Sequence, residues 1–174
     1  MNDPIVQVLI AILPSIVVFL TAFYLLKQTM SDRSAERIAA VRKDDHKIAL
    51  PLRLQAYERM ALFLERIQPG PLVLRVHQGS MDTRDLQHTL VSTIREEYEH
   101  NVTQQIYVSD RAWAKVKQAK DETIRLVHLS FEAVGEHHSG SELSRKIFEN
   151  TARLSHTPSQ EALVVIKDEV RRLF

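Results

Sequence analysis

The sequence predicts an all-α protein with an N-terminal single transmembrane helix, a helical stalk and a small helical bundle. Three observations carry that expectation. Residues 4–26, PIVQVLIAILPSIVVFLTAFYLL, hold no ionisable side chain. The remainder is built from Ala, Leu, Glu, Gln, Arg and Lys, and the whole chain has only four glycines and six prolines, a composition that favours helix over sheet. Apolar residues in that remainder recur at steps of three and four, the period of one helix face. The implied segments are a short outer tail at 1–3, the span at 4–26, a juxtamembrane stalk at 27–50 and an all-α cytoplasmic domain at 51–174.

At about 1.5 Å per residue the apolar run reaches roughly 34 Å, enough to cross a hydrocarbon core. A cleaved signal peptide would carry a basic start and a small-residue cleavage site. Here Asn2 and Asp3 precede the run, and Thr21, Ala22, Phe23 and Tyr24 offer no such site. An uncleaved span is therefore expected. Lys27, Arg33, Arg37, Arg42, Lys43 and Lys47 follow it, whereas the other flank holds one Asp. The positive-inside rule then puts the N-terminus outside and the C-terminal domain in the cytoplasm, with Tyr24 as an interfacial anchor. Pro14 is expected to kink the helix. Ala11 and Ser15 form a small-xxx-small pair that would let another helix approach, although a kinked lone anchor is the simpler account. With no charge inside it, the span offers no ion path.

The stalk, SDRSAERIAAVRKDDHKIAL, places Ile38, Val41, Ile48 and Leu52 at a/d-like positions, and Asp45 interrupts the seam. It is too short and broken for a coiled coil. Pro51 marks an expected break or kink. Beyond it Leu54, Tyr57, Ala61, Leu64 and Ile67 or Gln68 share a helix face, with Met60 and Phe63 beside it. Gln68-Pro69-Gly70-Pro71 is punctuation, and Leu72–Val76 reads as a buried loop or single helical turn. Asp82 or Ser80 can cap a helix carrying Leu86, Leu90, Val91, Ile94 and Tyr98, closing near Asn101. Ser109 and Asp110 can cap a long helix with Trp113, Val116, a snorkelling Lys120, Ile124, Val127, Phe131 and Val134, which Gly135 ends. A further helix is expected from about Glu142 to His156. Thr157-Pro158-Ser159-Gln160 then supplies an N-cap, an N1 proline and a capping-box glutamine for the last one.

The chemistry this chain can perform is narrowly bounded. It has no cysteine, which removes disulfides, thiolate metal sites and cysteine nucleophiles. A net charge of +1 argues against a general nucleic-acid binder. Glu97-Tyr98-Glu99-His100 is an E-x-x-H on a helix, and Glu97 with His100 is the weak metal candidate, joined by His128 or His137 in a metal-dependent enzyme reading. Di-iron bundles use two such motifs on different helices, and the similar Asp85–His88 lies on the same helix as the first. Glu136-His137-His138 falls in a Ser- and Gly-containing break, where histidines are ordinarily solvated. No nucleotide-binding glycine loop, H-E-x-x-H or G-x-S-x-G occurs. No cofactor and no metal are expected.

The most distinctive stretch beyond the span is EEYEHNVTQQIYV, from Glu96 to Val108. Asn101, Gln104 and Gln105 could present donors and acceptors to a partner, or could satisfy the backbone groups that helix ends leave open. The second use is favoured because helix ends always create such groups.

Taken together, LPLRLQAYERMALFLERI and REEYEHNVTQQIYVSDRAW resemble an uncharacterised family of single-span bacterial inner-membrane proteins, of Bacteroidota type, with a helical cytoplasmic domain. The resemblance covers nearly the whole chain and implies topology and bacterial origin, with no activity attached. The expected function is a non-catalytic scaffold, accessory subunit or regulator of an inner-membrane protein complex. A homo-oligomeric membrane platform is the further alternative. The expected partners are the lipid bilayer and another membrane protein or a second copy, with no nucleic acid. Residues singled out for interaction are Ala11, Ser15, Tyr57, Arg59, Asn101, Gln104, Gln105, Tyr107 and Trp113.

Overall fold

The computed structural model describes the backbone of residues 4–173 and the side chains of residues 12–28 and 47–173. Among the described residues the chain is helical throughout, in the order α1 (Pro4–Arg66), α2 (Pro69–Val76), α3 (Thr83–Glu99), a 3₁₀ turn (Val102–Ile106), α4 (Asp110–Val134), α5 (Gly140–Ala152) and α6 (Pro158–Arg171). An isolated antiparallel bridge pairs Asp82 with Ser139, and no strand forms among the described residues. The chain divides into two compact units, Met1–Ala49 and Leu50–Phe174.

In the first unit the described side chains from Ile12 to Leu26 are exposed, and every large apolar one among them is at least half exposed. Phe19 and Phe23 stack one turn apart at 6.4 Å, and Thr21 donates its hydroxyl to the Val17 carbonyl at 2.7 Å. Among the described residues no helix is long and apolar enough to cross a membrane. The expected span begins at Pro4, and the side chains of residues 4–11, Ala11 included, lie outside the described residues. The stalk positions Ile38, Val41 and Asp45 lie outside them as well.

The second unit is a bundle around one core. α1 runs through Pro51 without interruption, so of the break or kink expected there the break does not form. A proline inside a helix removes one backbone donor, and the packing of the turns that follow offsets that loss. Ala56, Tyr57, Met60, Phe63, Leu64 and Ile67 are at most 2% exposed. This face includes Ala56, while Leu54 and Ala61 sit at its margin, a small rotation from the expected stripe. Leu72–Val76 belongs to α2, a helix of eight residues, so the helical alternative holds over the loop and extends beyond a single turn. Pro69 occupies its first turn, where a missing N–H costs nothing and a fixed φ helps. The expected punctuation is therefore a helix start.

The remaining caps form as the residue types require. Asp82 accepts from the Asp85 amide at 2.7 Å, and Ser109 accepts from the Ala112 amide at 3.0 Å. Thr157 and Gln160 complete a capping box in both directions. Gly135, at φ 91°, ends α4 in the backbone region that disfavours side chains. α5 ends earlier than its expected range and also starts earlier, at Gly140, which fits where a side chain would not. A Cβ there would meet the Met81 carbonyl oxygen at 2.8 Å and His77 Nε2 at 3.1 Å. That close approach lets the Gly140 amide reach Met81 O at 2.9 Å, beside the Thr83 amide bonded to His138 O. α4 is the central element, packed most extensively on α6 and also on α3 and α5.

Candidate functional site

Three polar or aromatic constellations stand out in the bundle. The first joins α1, the start of α4 and α6. The Glu169 carboxylate accepts from the Tyr57 hydroxyl at 2.9 Å and lies within 2.6 and 2.7 Å of Ser109 Oγ. Ser109 thus caps α4 and ties it to α6 with one hydroxyl, and neighbouring Arg53 Nε donates to the Tyr107 carbonyl at 3.3 Å. Burial, followed by the Glu169 hydrogen bond, pushes the Tyr57 phenol above its ordinary value of 10.0. A neutral donor held against a carboxylate suits a structural tie, because the phenol keeps its proton across the physiological range.

The second constellation is an aromatic stack. Tyr98 lies 5.4 Å from Trp113 in a near-parallel arrangement and meets Phe63 edge-on at 6.0 Å. Lys120 Nζ sits 4.5 Å over the Tyr98 ring and 3.0 Å from Asp121, so its stem is covered as expected while its charge keeps two partners. Burial raises the Tyr98 phenol as well, and Lys120 opposes that shift. The third is a charge clamp, in which Glu97 takes Arg66 at 2.6 Å and stands 3.9 Å from Arg75. Arg75 also donates to the Arg66 carbonyl at 3.2 Å, closing the end of α1 onto α2.

These contacts decide where the sequence-picked residues stand. Glu97 is engaged by two guanidinium groups, while His100 is the exposed C-cap of α3. His128 Nδ1 meets Gln87 Nε2 at 2.8 Å, so it joins α3 to α4 through an amide. In the Glu136–His138 run, Glu136 pairs with Arg84 and His138 with Glu142, both at 2.7 Å, and His137 is exposed. Among the described residues no group of three or more His, Asp or Glu could hold a metal ion.

Of the interaction residues, Tyr57 and Trp113 are buried in the core, and Tyr57 also borders a recess between α1 and α6. Asn101 donates to the Glu97 carbonyl at 2.8 Å and so closes α3, the helix-end use expected of it. Gln104 is half-buried in the 3₁₀ turn, with its carbonyl accepting from the Tyr107 amide at 3.0 Å. Arg59, Gln105 and Tyr107 are exposed. Ser15 lines a shallow surface recess with Pro14, Val18, Phe19 and Ala22.

With the architecture in view, comparison with known families places the chain. A family model described as Family of unknown function (DUF7935) matches residues 3–173. The chain belongs to that family. No similar curated protein was found, and no similar solved structure. For this DUF7935 member the residues that sequence reasoning missed are Glu169, Arg66, Arg75 and Ser109 in its tie to α6. Each gains its role from a residue distant in sequence, and nothing in its local pattern announces that partner.

Proposed function

We propose that the protein is a non-catalytic, membrane-anchored helical module. Its α-helical domain would act as a scaffold, accessory subunit or regulator of a protein complex in a bacterial inner membrane. The apolar run at residues 4–26 would be the single-pass anchor, with the N-terminus outside and the domain in the cytoplasm, as the Lys and Arg distribution after Leu26 favours. The observation that supports this best is the exposure of Ile12–Leu26 in α1, all of it uncharged. Water does not tolerate so continuous an apolar surface, whereas lipid does. In the bundle, by contrast, Glu169, Glu97, His128 and Asn150 are engaged in ties between helices, which fits a rigid body that presents surfaces.

Extraction in mild detergent followed by native mass spectrometry tests the reading. A stable complex with another membrane protein is the expected result, and recovery only as a lone monomer would overturn it. The recess around Ser15 favours a second reading, self-association through the span, because small residues let helix backbones approach. In that case the same measurement would return a dimer or higher copy number, and Ser15→Leu would lower it.

A further inference from the structure

We propose that the groove between α4 and α5 is a docking site for an acidic amphipathic helix of a partner protein. This deepens the interaction-module reading and rests on it. The groove has about 550 Å³ of open space, lined on one side by α4 and on the other by α5 and the residues that follow it. Its α4 wall runs from Glu122 to Ala133, roughly 16 Å at the helical rise, or three turns. An incoming helix of comparable length matches that dimension.

The floor is apolar and uncovered. Leu129 is 55% exposed and Leu154 43%, and Leu126 lies beside them. Beneath them Asn150 donates to Ser130 Oγ at 2.9 Å, which fixes α5 against α4 and keeps the groove's width set before anything binds. The walls are basic. Arg125, Lys146 and Arg153 line the groove against a single acid, Glu122, in a chain whose net charge is only +1. Glu122 already accepts from Gln118 at 2.8 Å, and Lys146 leans 3.5 Å from Glu149. The guanidinium groups of Arg125 and Arg153 have no ion-pair or hydrogen-bond partner among the described residues.

Two exposed guanidinium groups without a carboxylate partner, flanking an apolar floor, match carboxylates flanking apolar side chains. A helix with Leu- or Phe-like residues at i, i+3 or i+4 and i+7, and Asp or Glu on both shoulders, supplies that pattern. Guanidinium groups favour paired contacts with carboxylates, which would set the register of the incoming helix. The open shape speaks against a single acyl chain, which a binding site normally encloses over most of its surface.

Site-specific photocrosslinking in the native cell tests this on the full chain, with the crosslinker at Leu129, at Leu154 and, as a reference outside the groove, at exposed Val164 on α6. The expected result is a protein adduct at Leu129 and Leu154 that Val164 does not give, and mass spectrometry should identify its crosslinked segment as net acidic with helical apolar spacing. Arg125→Glu combined with Arg153→Glu should lower the adduct yield by about tenfold or more. Far-ultraviolet circular dichroism of that variant should match the unaltered chain, since both residues are exposed. An adduct to lipid, a segment that is basic or lacks the spacing, or a yield unchanged by charge reversal would overturn the proposal. So would equal labelling at all three positions. Silence at Leu129 and Leu154 with adducts at Val164 would remove this groove and leave the interaction-module reading standing. Silence at all three would count against both.

Discussion

Two stretches of α1 are rich in the same kinds of side chain and treat them oppositely. Between Ile12 and Leu26 the large apolar residues are exposed, whereas between Ala56 and Leu64 five residues of one face are at most 2% exposed. The difference lies in the spacing of charge. Glu58, Arg59, Glu65 and Arg66 give the later stretch a polar side, which leaves a stripe for the bundle to cover. The earlier stretch has no polar side, so no packing against a single neighbour could cover it. Hydrophobicity alone does not assign a place to a helix. Its angular distribution does.

That contrast can be broken most severely at Phe63, which is 1% exposed and touches Tyr98. Phe63→Ala should destabilise the bundle by about 3–5 kcal/mol. Denaturant unfolding followed through Trp113, the only tryptophan, measures it. Ile16→Ala, an apolar truncation of the exposed stretch, should leave the same transition where it was. A shared loss of stability would mean that the two stretches are not distinct environments.

The next largest effect falls on the other side of the comparison. Leu20→Arg should oppose membrane insertion by about 2.5–3.5 kcal/mol if the run sits in lipid, and should not shift the Trp113 transition. Quantitative fractionation of cells expressing the variant separates the two outcomes.

A smaller loss should follow Glu169→Ala. It strips acceptors from Tyr57 and Ser109 and should cost about 1–3 kcal/mol, the penalty for stranding poorly solvated hydroxyls. Its effect should be confined to the bundle transition, which would sharpen the view of α6 as fastened rather than merely packed.

These residues also show what a sequence can and cannot disclose. The caps at Asp82, Ser109 and Thr157 were legible because each acts on an amide three residues away. The stripes of α3 and α4 were legible from period alone. Pro51 does not break the helix although an interior proline costs about 3 kcal/mol, because the buried face that follows it holds the turns together. Pro69 misled in the other direction, since the same residue that stops a helix also starts one. The Glu169 tie and the Glu97 clamp were out of reach, as Tyr57 and Glu169 stand 112 positions apart and only the packed bundle brings them together. The need for glycine at position 140 was equally hidden, because the carbonyl that forbids a side chain belongs to Met81.

The smallest expected effect is on pH dependence. The Tyr57 phenol titrates above its ordinary value of 10.0 in the folded protein, so the unfolded chain loses that proton first as pH rises. The stabilisation is complete below about pH 10 and declines above it, up to the folded value. Tyr98 acts in the same direction. Tyr57→Phe should make stability fall less steeply over that alkaline range, as read from denaturant midpoints against pH. Acidification over the physiological range should leave both phenol contributions intact.

The account turns on whether residues 4–26 lie in a bilayer. Alkaline carbonate washing of membranes from cells expressing the full chain tests that most directly. The account predicts that the protein stays in the membrane pellet and leaves it only with detergent. Release of the intact chain into the carbonate supernatant would contradict it.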